Sequence, residues 1–459
     1  MSATTTGNFW QGVRGAIHQR RGMPISPRRD KDPVPLSFQQ EGLWFAGRMS
    51  PGLTVHNLTM NHRLSGALDV PALNRALDGV VRRHEAMRTG LNEDGTQMIV
   101  PNMAPVSLEP MDVSESEIDK LASELASAPL ELISPPLWRF KLLRLSENEH
   151  VFLKVFHHFI FDHWSGDIFH RDLAKLYSAY TSTDESPLEP LPVQYADYAI
   201  WQRSSPVDTG FWNELFAGEI EPLELPRAGG HAGSGAGGHL SLALPAELME
   251  SVAGLALNRG VSLFVVMLAG FKATLHAQTG QEDLIICTTV SGRTRPELRR
   301  LIGFFNNIIP LRTRIMKRHS AIDVIGAVGR GILQTQPHQE VPFQKIAAVP
   351  ASEGVSLKRA LFTMQNTPGR PAGMEGLAMR RMDVEHAGSD FDLSLAIRKN
   401  DGQWIIHARF NGRLYSRENV ARLLDGYVEM LHRFVDRPGS SLGRISGAAR
   451  IWSRLRGLR

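Results

Sequence analysis

The chain reads as a mixed α/β protein, because strand-like and helix-like runs alternate along its whole length. Three stretches carry that reading. Val70–His84 buries Leu73, Ala76, Leu77 and Val80 at helical spacing. Val151, Leu153 and Val155 alternate with Phe152, Lys154 and Phe156, a period of two built from strand-forming side chains. Farther on, helical runs over Pro245–Arg259 and Leu263–Thr279 precede a strongly apolar strand over Asp283–Val290.

Taken in order, the remaining elements fit the same pattern. After the 151–156 strand, Ser165 stands as a helix N-cap and Asp167 falls in the first turn. Ile168, Phe169, Leu173, Leu176, Tyr177 and Tyr180 then trace a helical stripe. Pro245–Arg259 and Leu263–Thr279 read as amphipathic helices, and Arg417–Asp436 reads as a late helix. At 459 residues the chain exceeds one ordinary core and suits two lobes of roughly 200 residues each. Residues 229–238 are dominated by glycine and read as a linker; without GKS or GKT they do not form a phosphate-binding loop. The expected division is a basic N-terminal extension 1–34, a lobe 35–225, a glycine-rich linker 226–239, a second lobe 240–445 and a basic tail 446–459.

Composition excludes several function classes. Hydrophobic residues make up 42% and charged residues 21%, a globular balance. No run of about 18 apolar residues exists, so no membrane-spanning helix is expected. The first residues lack a basic start and an apolar stretch, which argues against a secretory signal. The single Cys287 precludes an intrachain disulfide and fits the reducing cytoplasm. The pI near 9.2 accompanies a net charge of only +4. No zinc-finger spacing or basic-aromatic motif joins it, so nucleic acid is rejected as a partner. Basic residues gather instead at the ends, Arg14, Arg20, Arg21, Arg28, Arg29 and Lys31 at one, and Arg450, Arg454, Arg456 and Arg459 at the other. They read as solvated tails, with steering of an acidic partner as the functional alternative.

The richest chemistry lies in Phe156-His157-His158-Phe159-Ile160-Phe161-Asp162-His163-Trp164-Ser165. Two adjacent histidines and an aspartate occupy the turn between a strand and a helix. Neighbouring side chains diverge at a strand end, so one imidazole can face a cavity while the other packs inward. Read alone, such a pair is more often a set of satisfied core histidines or half of a metal site. No HExxH or CxxC accompanies it, so no metal is expected.

In this context the chain resembles the condensation domains of nonribosomal peptide synthetases, from about Pro35 to about Val435. Their HHxxxDG motif is matched by His157, His158 and Asp162, with His163 in place of the usual glycine. Pro35-Leu-Ser-Phe-Gln-Gln-Glu-Gly-Leu-Trp-Phe45 is similar to the opening motif, with Gly42 where arginine is common. Arg83-His-Glu-Ala-Met-Arg-Thr89 resembles RHExLRT, and Tyr195-Ala-Asp-Tyr-Ala-Ile-Trp-Gln202 resembles YxDYAxWQ. Ile302-Gly-Phe-Phe-Asn-Asn307 resembles IGxFVNT, and His338-Gln-Glu-Val-Pro-Phe343 resembles HQDYPFE. Phe362-Thr-Met-Gln-Asn-Thr-Pro368 and Phe391-Asp-Leu393 match two later segments.

The resemblance implies two chloramphenicol-acetyltransferase-like lobes in a V-shaped pseudo-dimer, with an active-site tunnel at their junction. It implies a donor acyl group presented on the phosphopantetheine arm of a carrier protein, no bound cofactor, and an amine or hydroxyl acceptor that yields an amide or ester. His158 is the implied catalytic residue, with His157 packed behind it. Asp162 is implied to pair with Arg293, bridging the lobes and holding the turn, and Arg88 is another structural support. His163, with Trp164 and Ser165 beside it, is expected to gate the acceptor side. The chain carries no adenylation or carrier segment, so it reads as a free-standing enzyme that meets its acyl-loaded carrier in trans and releases a chain onto a small free acceptor. Three rivals stand beside this reading. Coenzyme A-dependent alcohol acyltransferases of the wax-ester synthase type share HHxxxDG but fit the YxDYAxWQ and HQxxPF segments less well. The epimerisation or cyclisation branch is the second, of which the cyclisation branch places aspartate at the first histidine, as this chain does not. A non-catalytic module that only recruits a carrier protein is the third.

Overall fold

The computed structural model describes residues 24–29, 33–49, 52, 54–183, 185–225, 237–365, 373–382, 389–400 and 402–442. Most of the 1–34 extension, the glycine-rich stretch 226–236 and the 446–459 tail lie outside them. The chain forms two compact units. The first takes the described residues of Met1–Val207, Ser291–Asn307 and Thr367–His386, and the second those of Asp208–Val290, Ile308–Asn366 and Ala387–Arg459. The sequence reading places 240–445 in a single lobe, whereas two stretches of that span belong to the first unit. The cause is visible in the packing. Ala378–Met382 adds an antiparallel edge strand to Asn61–Ser65, and Leu298, Leu301, Ile302 and Phe305 enter the first unit's core.

The first unit is built on a six-stranded sheet. Its order is Ala378–Met382, Asn61–Ser65, Glu149–His157, Trp138–Ser146 and Met111–Asp112, with Asn57–Thr59 also pairing to Glu149–His157. Glu149–His157, the motif strand, is central and antiparallel to both Trp138–Ser146 and Asn61–Ser65. Both of its faces are buried, where the alternation alone leaves one face open to polar surroundings. Val151 and Leu153 pack with Ile118 and Ala122 of the helix Ile118–Ser127. Phe152 and Phe156 join the main core with Phe161 and Phe169, and the Phe156 and Phe161 rings stack at 3.9 Å. Lys154 shares that second face and is fully buried. Its Nζ lies 3.2 Å from His62 Nδ1 and 4.1 Å from the centre of the Phe152 ring. Burial pushes its pKa well below the ordinary lysine value.

Val70–Arg83 is capped by Asp69, whose Oδ1 accepts the Ala72 N–H, and has proline in its first turn. It packs against the helix that follows the histidine turn. The described N-terminal segment is fastened to this unit. Ile25 is buried, and the Arg28 guanidinium pairs with Glu85 at 2.8 Å and with Asp197 at 3.4 Å. Arg28 is thus a fixed anchor where composition suggests a solvated tail, because two carboxylates from distant segments converge on it.

The second unit carries another six-stranded sheet, in the order Asn307–Arg314, Asp283–Val290, Ala360–Gln365, Leu393–Asn400, Gln403–Phe410 and Gly238–Ala243. Ala360–Gln365 runs parallel to both of its neighbours, while Leu393–Asn400 and Gln403–Phe410 form a hairpin. Leu263–Thr279 is enclosed on every side rather than amphipathic, being buried at each residue from Val265 to His276. It packs against Ala246–Asn258, Ala321–Thr335 and Arg417–Asp436. Lys272 on this helix is fully buried. Its Nζ donates to the Leu311 carbonyl at 2.6 Å and to Thr313 Oγ1 at 2.7 Å, and burial lowers its pKa to about 7. Ser262 caps the helix at its start, and Gly280 ends it at φ 77°. Among the described residues no single helix is long and apolar enough to cross a membrane.

Candidate active site

The motif strand ends at His157, and the motif helix, His163–Tyr180, begins six residues later. The cap of that helix is Asp162, not Ser165. Asp162 Oδ1 accepts the Ser165 N–H at 2.7 Å, so the helix starts two residues before Ser165. A carboxylate three residues ahead of a free backbone N–H meets the capping geometry better than the serine hydroxyl does. His163 is therefore the first helical residue. Its backbone is ordinary right-handed helix, and an imidazole at this glycine position brings no left-handed strain.

The two histidines diverge. His157 is buried, and its Nδ1 accepts the Phe159 N–H at 3.0 Å. Burial first, then the neighbouring His56 and His158, pull its pKa down to about 3. It is a neutral structural imidazole. His158 is half-buried; its N–H is tied to the His56 carbonyl at 2.8 Å, and its Nδ1 lies 2.9 Å from the Phe161 carbonyl. A carbonyl only accepts, so Nδ1 carries a proton, and in the neutral form of the ring Nε2 is the basic nitrogen. The Phe304 ring lies 4.9 Å from the His158 ring, and the His163 ring 6.5 Å from it.

Asp162 is fully buried and accepts from four groups. Besides the Ser165 N–H, these are Ser165 Oγ at 2.8 Å, the Phe305 N–H at 3.0 Å and Arg293, which reaches both oxygens at 2.7 and 3.1 Å. The Arg293 guanidinium lies 4.3 Å from the Phe305 ring centre and 5.8 Å from that of Trp164. Arg293 falls within Ser291–Asn307 and so in the same unit as Asp162. The pair ties one unit together where the resemblance implies a bridge between lobes.

Ser165 departs from the gate expected of it. Ser165 is fully buried; its hydroxyl lies 2.8 Å from the Gly303 carbonyl and receives Arg293 at 2.9 Å and the Gly303 N–H at 3.0 Å. It belongs to the network behind the turn, with no surface to present to a passage. Trp164 is 38% exposed, but its indole N–H points to the Arg299 carbonyl at 3.3 Å. Arg88 lies apart from this network and donates to the carbonyls of Val81, Val100 and Pro101.

The motifs scattered along the first unit interlock at the turn. Gln40, from the opening motif, donates to the Phe159 carbonyl at 3.2 Å. His84 Nδ1 receives the Ile302 N–H at 3.3 Å, and its Nε2 lies 3.0 Å from Asp172. The Tyr195 hydroxyl donates to the Phe304 carbonyl at 2.8 Å and contacts Ser37 Oγ at 2.8 Å. Burial pushes the Tyr195 pKa well above 10, which keeps that proton in place. A Cβ on Gly303 would come within 2.1 Å of Tyr195, and one on Gly292, whose φ is 66°, within 2.0 Å of the Phe305 carbonyl. Residues 301–305 are thereby clamped across the histidine turn. The His338 and Phe391 motifs lie in the second unit, where His338 stacks on Phe211 at 4.1 Å. Sequence reasoning passed over Phe304, since one aromatic residue at an open motif position has no periodic signature. Among the described residues no cluster of three or more His, Cys, Asp or Glu could hold a metal ion.

The mixed α/β fold matches solved structures of the chloramphenicol-acetyltransferase-like class. Residues 30–448 match the family described as the condensation domain, and the chain belongs to that family. It is 32% identical to the phosphinothricin tripeptide synthetase PhsC of Streptomyces viridochromogenes, over 92% of this chain but only 41% of that protein. The X-domain from teicoplanin biosynthesis is 27% identical, with a TM-score of 0.80 over 92% of this chain and 99% of that one. SgcC5 of Streptomyces globisporus, solved with (R)-(-)-1-(2-naphthyl)-1,2-ethanediol and sucrose, is also 27% identical. Its TM-score is 0.75, over 89% of this chain and 100% of that one.

Proposed function

We propose that this chain transfers an acyl group from the phosphopantetheine thioester of a carrier protein, met in trans, to an amine or hydroxyl, releasing the product as an amide or ester of a small free acceptor. The observation that carries the reading is the Nδ1 contact of His158 with the Phe161 carbonyl at 2.9 Å, which leaves the basic lone pair on Nε2 of a half-buried ring. As the acceptor nitrogen or oxygen bonds to the thioester carbon, its proton passes to Nε2. When the tetrahedral intermediate collapses, the C–S bond breaks and the imidazolium returns that proton to sulfur. Holding both reactants in register supplies much of the remaining acceleration. Asp162 and Arg293 hold the turn and take no proton. The likeness to SgcC5, a protein solved with an aryl diol, supports a small untethered acceptor.

The test is intact-protein mass spectrometry of an acyl-loaded carrier mixed with this protein and a panel of small amines and alcohols. Loss of the acyl mass with formation of the matching amide or ester is expected, and His158→Ala should slow it by about a hundredfold or more. Failure of every acceptor to discharge the carrier faster than water does would overturn the reading. A second reading, a module that recruits a partner without chemistry, draws on the likeness to the X-domain from teicoplanin biosynthesis, which has also been solved in complex with OxyB. Tight carrier binding without turnover in the same assay would favour it.

A further inference from the structure

We propose that Phe304 and His163 form an aryl-selective subsite beside His158, which takes a planar aromatic group of the acceptor. The proposal rests on the acyl-transfer reading for the word acceptor, but its geometry stands on the rings themselves. The polar groups that build the turn are withdrawn from contact: Asp162 and Ser165 are 0% exposed, Arg293 4% and His157 5%. His158, His163 and Phe304 are half-buried, and Trp164 beside them is 38% exposed with its indole N–H on the Arg299 carbonyl. Two further rings stand beside the His158 imidazole, one centred 4.9 Å away and inclined at 48°, the other 6.5 Å away and inclined at 53°.

Phe304 is preorganised for this contact. Its own carbonyl is held by the Tyr195 hydroxyl, the preceding Gly303 by Ser165, and the following Phe305 N–H by Asp162. The ring projects from backbone fixed on both sides, so little ordering remains to oppose binding. Neither ring follows from the motif: the pattern IGxFVNT leaves the position of Phe304 open, and HHxxxDG has glycine where His163 stands. Tilted rings at these spacings favour another aromatic ring over an aliphatic group of equal size, through the quadrupole as well as the buried area.

The experiment compares 2-phenylethylamine with 2-cyclohexylethylamine, two amines of similar bulk. Their dissociation constants are measured by calorimetry on the full chain, as wild type, Phe304→Leu and His163→Gly. The wild type is expected to prefer the phenyl compound by about fivefold or more, and each variant to lose most of that preference. Equal affinity in the wild type, or no binding of either amine, overturns the subsite. A phenyl preference that survives in both variants overturns its assignment to these residues. If Phe304→Leu fails to fold, the wild-type ratio and His163→Gly decide. Turnover of an acyl-loaded carrier is followed in parallel. A phenyl preference with no acceptor of the wider amine and alcohol panel turned over sinks acyl transfer and leaves the subsite standing, while turnover without the preference does the reverse.

Discussion

Replacing Asp162 with alanine removes a carboxylate that is 0% exposed and leaves the Arg293 guanidinium, whose side chain is also 0% exposed, without its counter-charge. Stranding one member of a buried pair costs about 3–5 kcal/mol. The Ser165 and Phe305 N–H groups lose their acceptor in the same step, and loss of a helix cap alone costs about 1 kcal/mol. These terms overlap, so about 3–5 kcal/mol is the expected total, corresponding to about 6–20 °C in Tm for a unit of 150–250 residues. Urea and thermal unfolding would measure it. The companion variant Asp162→Ala/Arg293→Met removes both charges and should recover at least half of the loss, because no unpaired ion remains. Turnover in both variants should fall along with the order of the turn. An Asp162→Ala protein with wild-type Tm and no turnover would refute the reasoning and make the carboxylate a partner of His158 in the chemistry.

His158→Ala should lower turnover by about a hundredfold or more while leaving Tm within a few degrees, checked by carrier discharge and thermal unfolding; near-normal turnover would remove it from the mechanism. His157 has a folded pKa of about 3 against an ordinary 6.5. Its contribution to stability is therefore complete above about pH 6.5 and lost progressively as pH falls toward 3. His157→Asn, which can still accept the Phe159 N–H, should reduce the acid slope of unfolding free energy in that window by up to one proton, about 1.4 kcal/mol per pH unit. An unchanged slope from urea titrations at several pH values would contradict this. Gly292→Ala places a Cβ within 2.0 Å of the Phe305 carbonyl at a φ of 66°. It should cost about 1–3 kcal/mol in urea unfolding and depress turnover by shifting the 301–305 clamp.

Local order was legible wherever one segment's own side chains decide it. Leu263–Thr279, Asp283–Val290 and Arg417–Asp436 have the bounds that periodicity assigns, because helix and strand spacing report burial directly. The histidine turn was legible for the same reason, as the point where a period of two gives way to 3.6. Its cap is the exception, since both Asp162 and Ser165 are good capping residues and only the folded turn shows which one meets a free N–H. The choice of Arg293 as partner came from resemblance to a family, as nothing within 131 residues of chain links it to Asp162.

By itself, then, the sequence determined which residue types stand at the turn and which short segments become helix or strand. The tertiary structure decided which groups meet. It enclosed Lys154 and Lys272 and fastened Arg28 between Glu85 and Asp197. It also clamped residues 301–305 with Ser165, His84 and Tyr195, setting Phe304 against His158. The physical reason is range. Burial of a face repeats every few residues and leaves a period in the chain, whereas a hydrogen bond between residues more than a hundred positions apart repeats nowhere and exists only once both backbones are in place.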